Sequence, residues 1–138
     1  MGESLRIEEF LKCSWFAVAG ASSNRGKYGN KVLRSYLQAG LQAVPINPRA
    51  EEIEGQICFA SLTAAIAAFP GATPGLSVVT PPKITELVIE EAVTQGVQHI
   101  WLQPGAESGN AVKIAEDAGL QLISGGPCVL VQLRFRND

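Results

Sequence analysis

Three segments of this sequence follow one order of signals: a helical pattern, a glycine, and then a short apolar run. The glycines are Gly40, Gly96 and Gly119, and a leucine or a valine follows each of them. Glycine often ends a helix because it adopts the left-handed backbone conformation at little cost. A helix that ends and leads at once into a strand, repeated along the chain, predicts alternating β and α elements. That alternation favours a parallel sheet with helices packed on its faces.

Five apolar runs are long enough to be buried strands of such a sheet. They cover residues 15–19, 42–46, 76–79, 98–102 and 120–123. Right-handed crossovers between them predict a Rossmann-like, doubly wound α/β fold with strand order 3-2-1-4-5 and helices on both faces. Residues 1–13 carry apolar side chains at helical spacing and are predicted to form an N-terminal helix that packs on the sheet edge. The apolar tail, residues 128–135, fits either a last helix or an edge strand.

Length and composition fit one domain spanning residues 1–138, since 46% of the 138 residues are hydrophobic. A net charge of −2 disfavours a general nucleic-acid-binding protein, which needs a basic face. No apolar run approaches the roughly 18 residues that span a bilayer, and the charged start does not resemble a signal peptide. Three widely spaced cysteines suit neither a disulfide framework nor a zinc site. We therefore expect a cytoplasmic protein with reduced thiols and no metal site.

The first predicted strand ends in a polar, glycine-containing turn that leads into a helix. The turn residues with groups suited to a ligand are Gly20, Ala21, Ser22, Ser23, Asn24, Arg25, Lys27 and Tyr28. Backbone N–H groups of such a turn, together with a helix N-terminus, form an anion site. An ordinary polar connection between strand and helix is the alternative. Only Gly20 stands where the dinucleotide fingerprint G-x-G-x-x-G needs glycine, which counts against a plain NAD site.

Three further predicted strands end in unusual residues. These are Asn47, Pro48 and Arg49 after the second strand, Thr80, Pro81 and Pro82 after the third, and Gln103, Pro104 and Gly105 after the fourth. Because the carboxyl ends of parallel strands meet at one edge, we expect all four strand ends to converge there. This convergence predicts a ligand site at that edge.

Arg49 indicates which nucleotide ligands the site could bind. NAD-dependent Rossmann enzymes place a carboxylate at the end of the second strand to hold the ribose hydroxyls, whereas this chain has an arginine there. Arginine suits an additional phosphate on the ribose, which is present in NADP and in coenzyme A. A solvated surface arginine is the alternative. The segment from Thr80 to Pro82 could form a wall against an adenine ring or a pantetheine arm, or it could simply begin a helix.

Several of these segments together resemble a known family. They are Val18-Ala19-Gly20-Ala21-Ser22 with Lys27-Tyr28-Gly29-Asn30, Val44-Pro45-Ile46-Asn47-Pro48-Arg49 with Ile53-Glu54-Gly55, Thr80-Pro81-Pro82, and Ile100-Trp101-Leu102-Gln103-Pro104-Gly105-Ala106. Over residues 15–133 the chain resembles the small, stand-alone CoA-binding proteins. Their domain is similar to the N-terminal CoA-binding domain of the succinyl-CoA synthetase α subunit.

The resemblance implies a Rossmann-like fold with bound coenzyme A and assigns roles to four segments. Residues 22–25 would lie on the CoA phosphates, and Pro48 with Arg49 would flank the 3′-phospho-ADP portion. Residues 80–82 would line the path toward the thiol arm, and the Gln103 turn would complete the pocket. The chain departs from the family near its end. The resemblance implies an acidic or basic residue before a Cys-Pro pair there, whereas this chain has Gly125-Gly126-Pro127-Cys128. That departure leaves a role for Cys128 open.

The residues at the strand ends contain no carboxylate pair and no Ser/His/Asp set. His99 stands at the start of the fourth predicted strand, opposite the expected site. We therefore expect binding of CoA or an acyl-CoA without catalysis, although enzymatic activity stays open. The alternatives are an NADP-binding oxidoreductase or sensor, and a CoA-site subunit of a larger enzyme. The apolar tail would then contact a partner enzyme chain or form a homodimer.

Overall fold

Short buried strands form the centre of the molecule. The computed structural model describes residues 2–137, so Met1 and Asp138 of the predicted domain lie outside the described residues. Five parallel strands form one sheet: β1 (Phe16–Ala19), β2 (Ala43–Ile46), β5 (Gly75–Val78), β6 (His99–Leu102) and β7 (Gln121–Ile123). Two shorter strands, β3 (Glu52–Ile53) and β4 (Gln56–Ile57), pair as a separate antiparallel hairpin.

Helices cover both faces of the sheet, and this confirms the predicted fold class. They are α1 (Glu3–Leu11), α2 (Tyr28–Gln38), α3 (Leu62–Ala68), α4 (Pro82–Thr94), α5 (Gly109–Asp117) and α6 (Val129–Gln132). Buried residues of α3, α4 and α5 pack on one face, while those of α1, α2 and α6 pack on the other. The apolar tail thus forms a helix rather than an edge strand. Within residues 2–137, no helix has both the length and the apolar character needed to cross a membrane.

Alternating side chains of β1 supply both halves of the core. Ala17 belongs to the half that packs under α3 to α5, whereas Phe16 belongs to the half that packs under α1, α2 and α6. Neighbouring residues of a strand point to opposite faces, so a strand buried on both faces is apolar throughout. Phe16 stacks on Tyr36 with ring centroids 4.8 Å apart. Phe10 of α1 meets the Trp101 ring of β6 edge-on at 5.3 Å, and the Arg6 guanidinium donates to the carbonyl oxygen of Leu122 in β7, so α1 packs on this face of the sheet near β6 and β7.

The order of the strands differs from the predicted order at one position. The sheet runs β2-β1-β5-β6-β7, which is 2-1-3-4-5 when the five parallel strands alone are numbered. The prediction placed the third strand beyond β2, whereas the structure pairs it with β1. Phe59 already occupies the outer side of β2, where it forms a parallel bridge with Ile46. The third parallel strand, β5, therefore pairs with β1 on the side of β1 that faces away from β2.

Pro45 supplies the physical reason for this correction. Its carbonyl oxygen accepts the N–H of Phe59 at 3.0 Å on the outer side of β2. The N–H that proline lacks would have pointed to the same outer side. Proline is tolerated in an edge strand because the ladder loses no hydrogen bond there. With the order 3-2-1-4-5, β2 would lie inside the sheet and one donor would be missing from its ladder.

The hairpin of β3 and β4 was not predicted from the sequence. Its turn residues Glu54 and Gly55 both have positive φ, 51° and 78°, as in a type I′ turn. The strong sequence signals for that turn are Asn-Gly and Asp-Gly, and neither is present here. The hairpin carries the Glu54 carboxylate back to α2, where the Asn30 side-chain amide donates to it at 3.1 Å.

Helix α2 begins in direct contact with the turn that follows β1. A Cβ added at Gly29 would lie 2.1 Å from the carbonyl oxygen of Gly20. Gly20 has a φ of +92°, and a Cβ there would lie 3.1 Å from the backbone nitrogen and the side chain of Thr80. These two approaches hold the ends of β1 and β5 and the start of α2 together.

Gly29→Ala should therefore destabilise the fold. The new methyl group would overlap the backbone of the turn, and overpacking of this kind costs typically about 1–3 kcal/mol. Urea unfolding of the variant and the parent protein measures the difference. Gly109→Ala is the matched control, because Gly109 also lies in the first turn of a helix and a Cβ there meets nothing within 4 Å. We expect that control to be as stable as the parent or more stable, and equal stability of the two variants would contradict the argument.

Candidate functional site

A groove of about 810 Å³ opens at the carboxyl ends of β1, β2 and β5. This volume lies within the range of roughly 300–1,000 Å³ typical of small-molecule sites. Ala19 and Ile46, the last residues of β1 and β2, line it together with Val79, the residue after β5. In an open α/β sheet, ligands bind where the connections leave in opposite directions. That point lies here between β1 and β5, so the groove occupies the expected position in the fold.

Ten of the residues predicted from sequence line this groove: Gly20, Ala21, Ser22, Lys27, Tyr28, Asn47, Pro48, Arg49, Thr80 and Pro81. The other seven do not line it: Ser23, Asn24, Arg25, Pro82, Gln103, Pro104 and Gly105. The structure thus brings three of the four predicted strand ends together at one groove and leaves the Gln103 turn outside its lining.

Hydrogen bonds within the β1 turn fix its shape. The Ser22 hydroxyl oxygen accepts from the backbone N–H of Asn24 at 3.1 Å. The Asn24 side-chain oxygen accepts from the N–H of Gly26 at 2.9 Å. Short side chains of this type commonly hold turns by bonding to the backbone two residues on. Asn24 therefore serves the turn itself, and the structure does not direct it to the groove.

A buried polar network joins this turn to α2 and to the hairpin. The Asn30 amide donates to the carbonyl oxygen of Ser22 at 2.8 Å, and its oxygen accepts from the Arg34 guanidinium at 2.7 Å. Arg34 also donates to the carbonyl oxygen of Arg25 at 3.0 Å. The Arg25 guanidinium lies 3.3 Å from the Glu54 carboxylate. The charge of Arg25 is therefore paired within the protein, outside the groove lining.

Two positive side chains at the groove have no partner within residues 2–137. Lys27 and Arg49 both line the groove and are exposed, and their side chains make no hydrogen bond or ion pair in that part of the chain. The Asn47 amide instead joins two loops, because it donates to the carbonyl of Ala21 and accepts from the N–H of Arg49, both at 2.8 Å. Asn47 thus positions Arg49, whose guanidinium stays available to a ligand.

Helices α3 and α4 contribute groove residues that sequence reasoning missed. Leu62 begins α3, and Ile84, Val88 and Glu91 come from one face of α4. The spacing of i, i+4 and i+7 along α4 is a signal that these three share a face. Their place at the groove depends on α3 and α4 lying side by side, which follows from the strand order 2-1-3. The predicted order gave no reason to expect that contact.

Gln103 lies fully buried beside the groove and holds three elements together. Its side-chain oxygen accepts from the backbone N–H of Val129 at 3.0 Å and from the Tyr28 hydroxyl at 3.3 Å. Its amide nitrogen lies 3.4 Å from the Ser77 hydroxyl. The Tyr28 hydroxyl is also 2.7 Å from the Cys128 sulfur. Burial, followed by this hydrogen bond, raises the pKa of Tyr28, so the phenol stays protonated and serves as a donor.

Gln103→Leu should lower stability, because leucine has a similar size but leaves the buried Val129 N–H without an acceptor. An unsatisfied buried donor costs about 1–3 kcal/mol. Urea unfolding measures this loss. The control is Gln98→Leu. Gln98 is exposed and comes just before β6, the strand that Gln103 follows, and a change in stability within about 0.5 kcal/mol is expected there. A Gln103→Leu variant as stable as the control would show that the buried network contributes nothing.

Residues 15–134 match the family described as CoA binding domain. This protein therefore belongs to the family of CoA-binding domains, and the resemblance inferred from its sequence is confirmed. A conserved hypothetical protein from Pyrococcus furiosus has a similar structure, with 37% identity and a TM-score of 0.77 over 86% of this chain and 97% of that chain. A hypothetical protein from Pyrococcus horikoshii OT3 matches with 25% identity and a TM-score of 0.84 over 97% and 91% of the two chains.

A larger protein contains a similar domain. The dinucleotide forming acetyl-coenzyme A synthetase 1 from Ca. Korarchaeum cryptofilum has 27% identity and a TM-score of 0.64 over 79% of this chain. The match covers 25% of that chain. The same fold thus occurs both in chains of about this length and as one part of a longer protein.

Proposed function

We propose that this protein binds coenzyme A or an acyl-CoA in the groove, without catalytic turnover of its own. The observation that carries the proposal is a pair of positively charged side chains at the groove of a CoA-binding-domain fold. These side chains, Lys27 and Arg49, have no partner within residues 2–137. CoA carries a pyrophosphate and a 3′-phosphate, so it offers two separate anionic groups to two separate cations.

The turn after β1 fits the pyrophosphate. Backbone N–H groups of the turn and the N-terminus of the 11-residue helix α2 favour an anion there. Ser22 and Lys27 line the groove at this place and add a hydroxyl and a positive charge. Contacts of Ser23, Asn24 and Arg25 with the phosphates remain a prediction, because these residues lie outside the groove lining.

Arg49 fits the 3′-phosphate. It follows β2, at the position where a ribose is held in Rossmann-type sites, and Asn47 fixes its backbone. A guanidinium binds phosphate through charge-assisted and often bidentate hydrogen bonds. The wall of Thr80 and Pro81 would then lie against the adenosine or the start of the pantetheine arm.

The composition of the groove supports binding rather than turnover. None of its lining residues within the described part of the chain is a histidine, a cysteine or an aspartate. Its carboxylate, Glu91, accepts hydrogen bonds from Thr63 rather than activating a nucleophile. The three cysteines are free, which fits a protein of the reducing cytoplasm.

A second candidate function is that of a CoA-site subunit that works with a separate catalytic chain. The similarity to one quarter of an acetyl-coenzyme A synthetase favours it, because in that protein the domain is joined to others. Size-exclusion chromatography of the protein with a candidate partner enzyme, with and without CoA, separates this function from that of a stand-alone binding protein.

Isothermal titration with CoA, 3′-dephospho-CoA, NADP and NAD in parallel tests the proposal. We expect CoA to bind and 3′-dephospho-CoA to bind more weakly. NADP binding without CoA binding would replace the proposal with an NADP-dependent oxidoreductase or sensor. Failure of all four ligands to bind would contradict the proposal for the isolated chain.

Arg49→Ala should weaken CoA binding by roughly 1.5–3 kcal/mol, the range for a hydrogen bond to a charged group. The same variant should bind 3′-dephospho-CoA as the parent does, because that ligand lacks the group that Arg49 would contact. Arg49→Lys keeps the charge but not the bidentate geometry, so its CoA affinity should lie between that of Arg49→Ala and that of the parent. Lys113→Ala, an exposed cation of α5 outside the groove lining, controls for net charge. Equal CoA affinity of Arg49→Ala and parent would remove Arg49 from the site.

A further inference from the structure

Glu91 is the carboxylate that lines the groove, and it lies next to the apolar part of the groove. This part lies between α3 and α4, and Ile46, Leu62 and Val88 line it together with Glu91. Val88 and Glu91 are one turn apart on α4 and face the same side. Glu91 is partly buried, and its hydrogen bonds to α3 lie on the exposed side of the groove.

One oxygen of Glu91 is fixed by α3. Its Oε2 accepts from the backbone N–H of Thr63 at 2.9 Å and from the Thr63 hydroxyl at 2.6 Å. The other oxygen, Oε1, has no hydrogen-bond partner within residues 2–137. The two bonds to Thr63 anchor Oε2, so Oε1 of the same carboxylate is the acceptor that has no partner within the described residues.

Adenine has the shape and the chemistry for this part of the groove. Its two faces are apolar, and its exocyclic amine is a donor that seeks an acceptor. The base is attached to the same ribose as the 3′-phosphate, so it must lie near Arg49. The segment that leads into α3 is joined to the end of β2, since the N–H of Asn47, two residues before Arg49, donates to the carbonyl oxygen of Phe59 at 2.9 Å. Ala60 and Leu62, which follow Phe59 in the sequence, line the groove.

We propose that Glu91 Oε1 accepts a hydrogen bond from the exocyclic amine of the adenine ring of CoA. Glu91 is thus a specificity-determining residue that selects adenine over bases with a carbonyl oxygen at that position. This inference rests on the proposed function. It also specifies the direction of the ligand: the adenosine end lies between α3 and α4, and the pantetheine arm leaves toward the open side of the groove.

The wild-type protein provides the first test without any substitution. The hypoxanthine analogue of CoA replaces the amine by a carbonyl oxygen, which would face the carboxylate oxygen of Glu91. Isothermal titration should show binding of the analogue that is weaker than that of CoA by about tenfold or more, since about tenfold is the lower end of the effect of a lost hydrogen bond to a charged group. Equal affinities would overturn the inference.

Glu91→Gln is the second test, because Thr63 dictates the orientation of the new amide. The Thr63 N–H requires an oxygen, so the glutamine oxygen stays there and its NH₂ group faces the groove. We expect CoA to bind about tenfold more weakly and the hypoxanthine analogue to bind at least as tightly as it does to the parent. The selectivity of the variant should thus be reversed. Thermal unfolding, with a melting temperature close to that of the parent, establishes that the variant is folded.

Glu90→Gln is the matched control. Glu90 lies next to Glu91 on the same helix, is exposed, and does not line the groove, so the same charge change there should leave both affinities unaltered. If CoA binds but the preference for CoA over its analogue is the same in all three proteins, the inference is overturned while the proposed function stands. The apolar part would then hold the pantetheine or acyl end. If CoA does not bind to the wild type, both fail.

Discussion

The contact between the first turn of α2 and the turn after β1 determines where the groove lies. It depends on the absence of a side chain at Gly29, whose backbone touches the Gly20 carbonyl. The conformation of Gly20 in turn lets the turn approach Thr80 at the end of β5. With these two approaches in place, the ends of three strands and the start of α2 surround one space. The groove is thus a consequence of backbone packing, and the side chains that line it act on a shape already present.

Most of the polar side chains near the turn maintain this shape. Asn24 and Asn47 bond to the backbone, and Arg25 pairs with Glu54. The buried side chains of Asn30 and Arg34 connect the turn to α2. Polarity at a strand end is therefore a poor guide to which residue contacts a ligand. Groups without a partner within residues 2–137, such as the Arg49 guanidinium, are the ones that are free to contact a ligand.

The sequence was sufficient to predict the fold class, because the helix-ending glycines and the apolar runs are local signals. The strand order was not predicted correctly. Pro45 inside the second apolar run indicates an edge strand, and the prediction did not use that signal. At the site, the ends of β1, β2 and β5 could be predicted from convergence alone. The buried hydrogen bonds of Gln103 and the place of Glu91 at the groove could not be predicted, because Val129 is distant in sequence from Gln103 and Thr63 belongs to a helix whose placement follows from the strand order.

The closed outer side of β2 has a consequence for how copies of this protein can associate. Growth of a sheet by strand addition from another molecule needs a row of free donors and acceptors along an edge. At this edge Pro45 provides no donor, and Phe59 already uses the Pro45 carbonyl and the Asn47 N–H. An incoming strand would find neither group available there. The carboxyl-terminal half of the β2 edge is thus closed to intermolecular β-pairing at Pro45 and Asn47.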